Sequence, residues 1–224
     1  MKTLVIALLL SASIAHADTD DDDRSATYSL DIGSHLRWFG DTSATIVSTD
    51  PLAGVRLTAG RSLTSTQLRH RDVDLGVFAR YVYAGASGTM FGDLDTSISQ
   101  HMLGGGVRAD APLTRWLVLN AQAELGMAHT SLEVAQDLMT PVDDAHWAPY
   151  AAGSLGAEIR VSAGNRLNLS IGLDLGYVIT VPVELHALPG DRPAEDLSIA
   201  TTFAGAGNLD TRGLVYSMSL RGRF

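Results

Sequence analysis

The chain has 224 residues, with 16 Lys and Arg against 25 Asp and Glu, a formal net charge of −9, and no cysteine. Without cysteine there is no disulfide framework, no thiol catalysis and no Cys-ligated metal. The acidic balance supplies no basic surface to displace the counterions of a nucleic acid, so no nucleic-acid partner is expected.

Lys2, the apolar run Leu4 to Leu10 and the small residues of Ala15-His16-Ala17 have the form of a secretory signal peptide over residues 1–17. The run is too short to cross ~30 Å of hydrocarbon as a helix. Cleavage after Ala17 exposes Asp18, which with Asp20 to Asp23 forms an acidic leader, residues 18–25, of the kind that stays solvated and disordered. It lacks the Gly turn and bidentate Glu of an EF-hand loop. Residues 26–224 are expected to form one domain. Lys2 is the only lysine, so the mature positive charge is carried by arginine.

Alternation with period two then predicts eight strands in chain order. Their apolar faces carry Tyr28, Leu30, Ile32, Leu36 and Trp38; Ala53, Val55, Leu57 and Ala59; Val73, Leu75, Val77, Ala79, Tyr81 and Tyr83; and, more weakly, Leu103, Val107, Ala109 and Ala111. They continue with Leu117, Leu119, Ala121, Ala123, Leu125 and Met127; Ala151, Leu155, Ala157, Ile159 and Val161; and Leu167, Leu169, Ile171, Leu173, Leu175, Tyr177 and Ile179. The eighth strand carries Leu214, Tyr216, Met218, Leu220, Gly222 and the last residue, Phe224.

Connections alternate in length. Residues 112–114 and 162–165 read as tight turns and 62–71 as a somewhat longer link, whereas 40–50, 84–97, 129–147 and 180–213 read as long polar loops. That asymmetry is expected of an outer-membrane barrel, with periplasmic turns, extracellular loops and both termini periplasmic. The faces opposite the apolar ones carry Asp31, His35, Arg37, Arg56, Asp74, Arg80, Arg108, Asp110, Glu124, Glu158, Arg160, Asp174, Arg221 and Arg223, with many glycines. Aromatic residues near the strand ends, including Tyr28, Trp38, Tyr81, Tyr83, Tyr177 and Tyr216, fit interfacial girdles. The expected fold is an all-β, eight-stranded antiparallel up-and-down transmembrane barrel. A soluble lipocalin-like barrel in the periplasm, apolar inside and charged outside, is the alternative that alternation alone leaves open.

The apolar final strand, with Tyr216, Met218, Leu220 and the terminal Phe224, resembles the last strand of bacterial outer-membrane barrels. The chain as a whole resembles the small eight-stranded barrels of the OmpA, OmpX and opacity-protein type over residues 26–224. The resemblance implies location in the outer membrane of a Gram-negative cell. It also implies partners among its lipids, lipopolysaccharide included, and recognition of those four residues by the barrel-assembly machinery. A monomer is expected. Full-length OmpA carries a C-terminal peptidoglycan-binding domain that is not found here, so no cell-wall tether is implied.

Three sets of residues are candidates for chemistry. Seven arginines and six carboxylates share the predicted interior, and a buried charge without a partner costs several kcal/mol, so an ion-paired, plugged lumen is expected. Its centre is assigned to Arg56, Asp74, Arg80, Glu124, Glu158, Arg160 and Asp174, with Glu124 paired to Arg80 or Arg160. An ion-selective pore would show a ring of one sign. His129 and Ser131 resemble the His-x-Ser arrangement of the outer-membrane lipid A deacylase PagL, although Leu132 stands where that family has an Asn that helps hold the oxyanion. The acidic loop pairs Asp93 and Asp95, Asp143 and Asp144, and Asp191 and Asp196 have the chemistry of calcium ligands, and His146 that of a zinc ligand, without defining a site. No cofactor, metal or catalytic residue is assigned. The expected function is a non-enzymatic structural, adhesion or receptor barrel, with a low-conductance pore and a lipid A deacylase using His129 and Ser131 as alternatives.

Overall fold

The computed structural model describes residues 28–39, 51–68, 71–90, 94–135, 142–163, 168–184 and 208–224. The expected signal peptide and acidic leader lie outside them. Seven long strands run in chain order: β1 (Tyr28–Phe39), β2 (Leu52–Leu68), β3 (Arg71–Met90), β4 (Leu94–Pro112), β5 (Leu117–Ala135), β6 (Val142–Ala163) and β7 (Asn168–Thr180). Two-residue strands β8 (Val183–Glu184) and β9 (Asn208–Leu209) follow, and then β10 (Gly213–Arg223). Neighbouring strands pair antiparallel, and β10 returns between β7 and β1 to close an eight-stranded barrel. β8 and β9 pair as a separate ribbon.

The register fixes the stagger. From Trp147 the row runs through His129, His101 and Tyr83 to Val55 and Ser34, and Met218, Leu173 and Ala157 complete the circuit. Trp147 and Ala157 lie on the same strand, so one turn of the wall advances ten residues along it. For eight strands that shear sets a tilt of roughly 40° and an interior only wide enough for side chains to fill.

The faces divide as a bilayer requires. Leu30, Ile32, Val55, Leu57, Leu75, Val77, Leu103, Val107, Leu119, Leu125, Leu155, Ile171, Leu173, Leu175, Leu214, Met218 and Leu220 are exposed on the outer wall. Asp31, His35, Arg37, Arg56, Glu124, Glu158, Asp174 and Arg221 are buried inside. An apolar exterior around a charged interior inverts the soluble barrel, and the chain is a transmembrane barrel. Trp116 and Phe224 near one rim and Trp38, Tyr83, Trp147 and Tyr177 near the other are exposed aromatics bounding this belt. Tyr28 to Trp38 along a tilted β1 spans about 25 Å, the height of the apolar band in such proteins.

The connections depart from the sequence expectation. β2 and β3 continue through the anticipated link at 62–71, with a register shift between Ser62 and Thr64, and pair as far as Leu68 with Arg71. The anticipated loops 84–97 and 129–147 are largely strand: β3 pairs with β4 as far as Met90 with Leu94, and β5 with β6 as far as Val134 with Val142. These two hairpins rise past the aromatic rim. The ends of the 180–213 segment form the β8–β9 ribbon, and Leu209, Asp210 and Thr211 are buried. The rim at 113–116, where β1 begins and β10 ends, is called the turn end, and the opposite rim the loop end.

The barrel interior as candidate functional site

Inward-facing side chains arrive at fixed heights because every second residue of each strand points inside. Near the turn end they form a continuous charged network. Arg221 bonds Asp31 Oδ2 at 2.6 Å and also Glu158. Arg223 lies 2.9 Å from Glu158 Oε2 and 3.1 Å from Asp110 Oδ2. Arg108 reaches Asp110 at 2.5 Å and Glu158. Glu158, 2% exposed, thus accepts from three guanidinium groups and from the Ser170 hydroxyl at 3.4 Å.

At mid-height Arg56 donates to Asp174 Oδ2 at 2.8 Å and stands 3.7 Å from Asp31 Oδ1. Arg80 donates to Glu124 Oε2 at 2.6 Å, to Thr58 Oγ1 at 3.2 Å and to Gln122. The Tyr150 hydroxyl completes this cluster by donating to Glu124 Oε1. Two glycines make room for it. A Cβ on Gly104 would collide with the Tyr150 hydroxyl and lie 2.7 Å from Glu124 Oε1, and one on Gly156 would collide with Asp174 Oδ1. Gly104 is therefore wall that the Glu124 and Tyr150 side chains lean against, whereas Gly106 gives room to the backbone of Ala123 and Glu124.

Of the residues the sequence singled out, the structure brings Arg80 to Glu124, Arg56 to Asp174, and Glu158 to Arg108, Arg221 and Arg223. The partner of Glu124 is Arg80, not Arg160. Asp74 and Arg160 are half-buried and make no ion pair with a described residue. A register shift lies beside Arg160, between it and Ser162. Tyr216, Met218, Leu220 and Phe224 stand on the outer wall.

The loop end was not anticipated. There the interior is apolar: Leu52, Val82, Ala84, Ile98, Met102, Ala128, Leu132, Tyr150, Val178 and Leu209 pack into one buried cluster. A short polar relay crosses it. Gln100 Nε2 donates to Thr130 Oγ1 at 2.8 Å and to Thr211 Oγ1 at 3.4 Å, and the Thr180 and Thr211 hydroxyls are 3.0 Å apart. The signal for this layer was present in the inward phase of the strands, in Val82, Ala84, Ile98, Met102 and Leu132. Among the described residues, partly open cavities lie between these side chains, one of about 40 Å³ at mid-height beside His35, Arg56, Arg80 and Ser217, and one of about 160 Å³ nearer the turn end beside Asp74, Arg108, Asp110 and Arg223.

His129 and Ser131 face outward on β5, but no hydrogen bond joins them. Tyr83, His101, His129 and Trp147 stand opposite one another on four successive strands. The His129 ring lies 4.9 Å from Trp147 and 6.4 Å from His101, and the Tyr81 hydroxyl meets His101 Nδ1 at 2.8 Å. Ser131 sits opposite Ser99 and Ala145. Asp93, Asp191 and Asp196 lie outside the described residues. Among the described residues no group of three or more His, Asp or Glu side chains could hold a metal ion.

No protein-family model matches the chain. No curated protein matches it. Solved structures do. The attachment invasion locus protein Ail of Yersinia pestis, crystallised with the heparin analogue sucrose octasulfate, is 12% identical, with a TM-score of 0.49 over 90% of this chain and 100% of its own. Neisserial surface protein A is 11% identical, with a TM-score of 0.45 over 91% of this chain and 98% of its own. The beta domain of the Bordetella autotransporter BrkA is 13% identical, with a TM-score of 0.47 over 89% of this chain and 99% of its own. The closed antiparallel order of eight strands is one that small outer-membrane barrels adopt.

Proposed function

We propose that the protein is a non-enzymatic outer-membrane barrel whose lumen is closed to conduction and whose specificity, as a structural, adhesion or receptor element, lies in its surface loops and projecting hairpins. The observation that carries the reading is the filled interior: paired charges from turn end to mid-height, then an apolar layer above them. A water-filled path would have to break both. The turns and both termini are assigned to the periplasm and the loop end to the outside, in contact with outer-membrane lipids, lipopolysaccharide included, as a monomer.

Planar-bilayer recording of the refolded protein tests the closed lumen. The expected record is flat; reproducible channel steps would replace this reading with the low-conductance pore. Hydrolysis of lipid A by the same preparation, abolished by His129→Ala, would replace it with the lipase alternative. An epitope inserted near Gly190 should be labelled on intact cells, and labelling only after permeabilisation would reverse the assigned orientation.

A further inference from the structure

Five interior arginines, 56, 80, 108, 221 and 223, are matched by five carboxylates, 31, 110, 124, 158 and 174. Arg37 is left over. It is fully buried, yet among the described residues no carboxylate lies within ion-pair reach. One terminal nitrogen donates to Gln100 Oε1, the other faces Met102 Sδ at 3.7 Å, and Nε has no partner. Burying a cation without a counter-charge costs several kcal/mol.

Met102 also lines the mid-height cavity of about 40 Å³, where further buried polar atoms are without partners among the described residues. Three buried atoms on its lining residues have no hydrogen-bond partner among the described residues: His35 Nε2, Arg56 Nε and Ser217 Oγ. Arg56 Nε can only donate, and the other two can donate. They converge by register. His35 stands opposite Gly54, two residues from Arg56 on β2, and Ser217 stands opposite Asp174, the partner of Arg56. The carboxylates on the lining, Glu124 and Asp174, are already ion-paired. The space exceeds the roughly 10–15 Å³ that one water-sized occupant needs.

We propose that this cavity is a binding site for a small monovalent anion of halide size, held by His35, Arg56 and Ser217 and balancing the charge of Arg37. It is independent of whether the loops bind a partner.

The test is urea unfolding of the full protein refolded into phosphatidylcholine vesicles, in sodium chloride, sodium bromide or sodium gluconate at equal ionic strength. Chloride and bromide should raise the midpoint, and above the dissociation constant each tenfold rise in halide should lower the unfolding equilibrium constant about tenfold. Non-specific salting acts the other way, since a strongly hydrated anion such as gluconate favours burial more than a halide does. Arg37→Met and Ser217→Ala should each weaken the halide dependence. Equal midpoints in halide and gluconate, or an undiminished halide effect in both variants, would overturn the proposal. Crystals of the wild-type protein grown in bromide give a reading that needs no variant: an anomalous peak among His35, Arg56 and Ser217 supports the site, and a cavity holding only water refutes it.

Discussion

The two halves of the lumen solve one packing problem by different means. Toward the turn end the wall is filled by long charged side chains that satisfy one another, with Glu158 shared among Arg108, Arg221 and Arg223. Toward the loop end it is filled by Leu, Ile, Val and Met, with one buried arginine among them. The charged half is specific but brittle, because losing one member leaves its partners charged and dry. The apolar half is tolerant, because a lost methyl group costs only its own burial and a small void.

Substitutions can break or sharpen that contrast. The largest effect is expected from Glu158→Gln, which removes the charge three guanidinium groups share; a loss of about 3–5 kcal/mol is expected in urea unfolding in bilayers. Next comes Ile171→Arg on the lipid face, about 2–4 kcal/mol by the same measurement. Ile171 and Ser170 are sequence neighbours on opposite faces, so Ile171→Arg tests the inside and outside assignment directly, and an unchanged midpoint would reverse it. In the apolar half Ile98→Val should cost only about 0.5–1.5 kcal/mol. If it matches Glu158→Gln, the two halves do not differ as argued. The smallest effect belongs to Arg212→Lys. It keeps a cation beside the buried Asp210 carboxylate, the Arg212 side chain is about half exposed, and less than about 1 kcal/mol should be lost.

The sequence made the membrane-spanning part legible because lipid enforces the pattern. Outward positions such as Leu169, Ile171, Leu173 and Leu175 must be apolar, and strict alternation is rarely produced any other way. Above the aromatic rim the rule inverts. Ser97, Ser99, Ser131 and Glu133 are less buried than their inward neighbours Ile98 and Leu132, since the outer face there meets water while the inner face packs. Outward apolar alternation therefore ends β3 and β5 too early and begins β4 and β6 too late, and it does not show the apolar layer at all. The interior composition was equally legible, whereas its pairings were not. Arg80 and Glu124 sit on strands separated by β4, and whether they meet depends on stagger and tilt, which local sequence does not encode.

Closure of the ring between β1 and β10 has a consequence in time. The contact that seals it, Arg221 with Asp31, joins residues 190 positions apart, and the Tyr28 and Phe224 backbones exchange hydrogen bonds at 2.9 and 3.0 Å beside it. Until β10 is in place, β1 and β7 each present an unsatisfied edge, and hydrocarbon offers no water to satisfy it. A ribosome-bound chain therefore has no partly inserted state to rest in. β10, the last strand made, must be present before the wall can close, and closing it means bringing together the two ends of the barrel sequence.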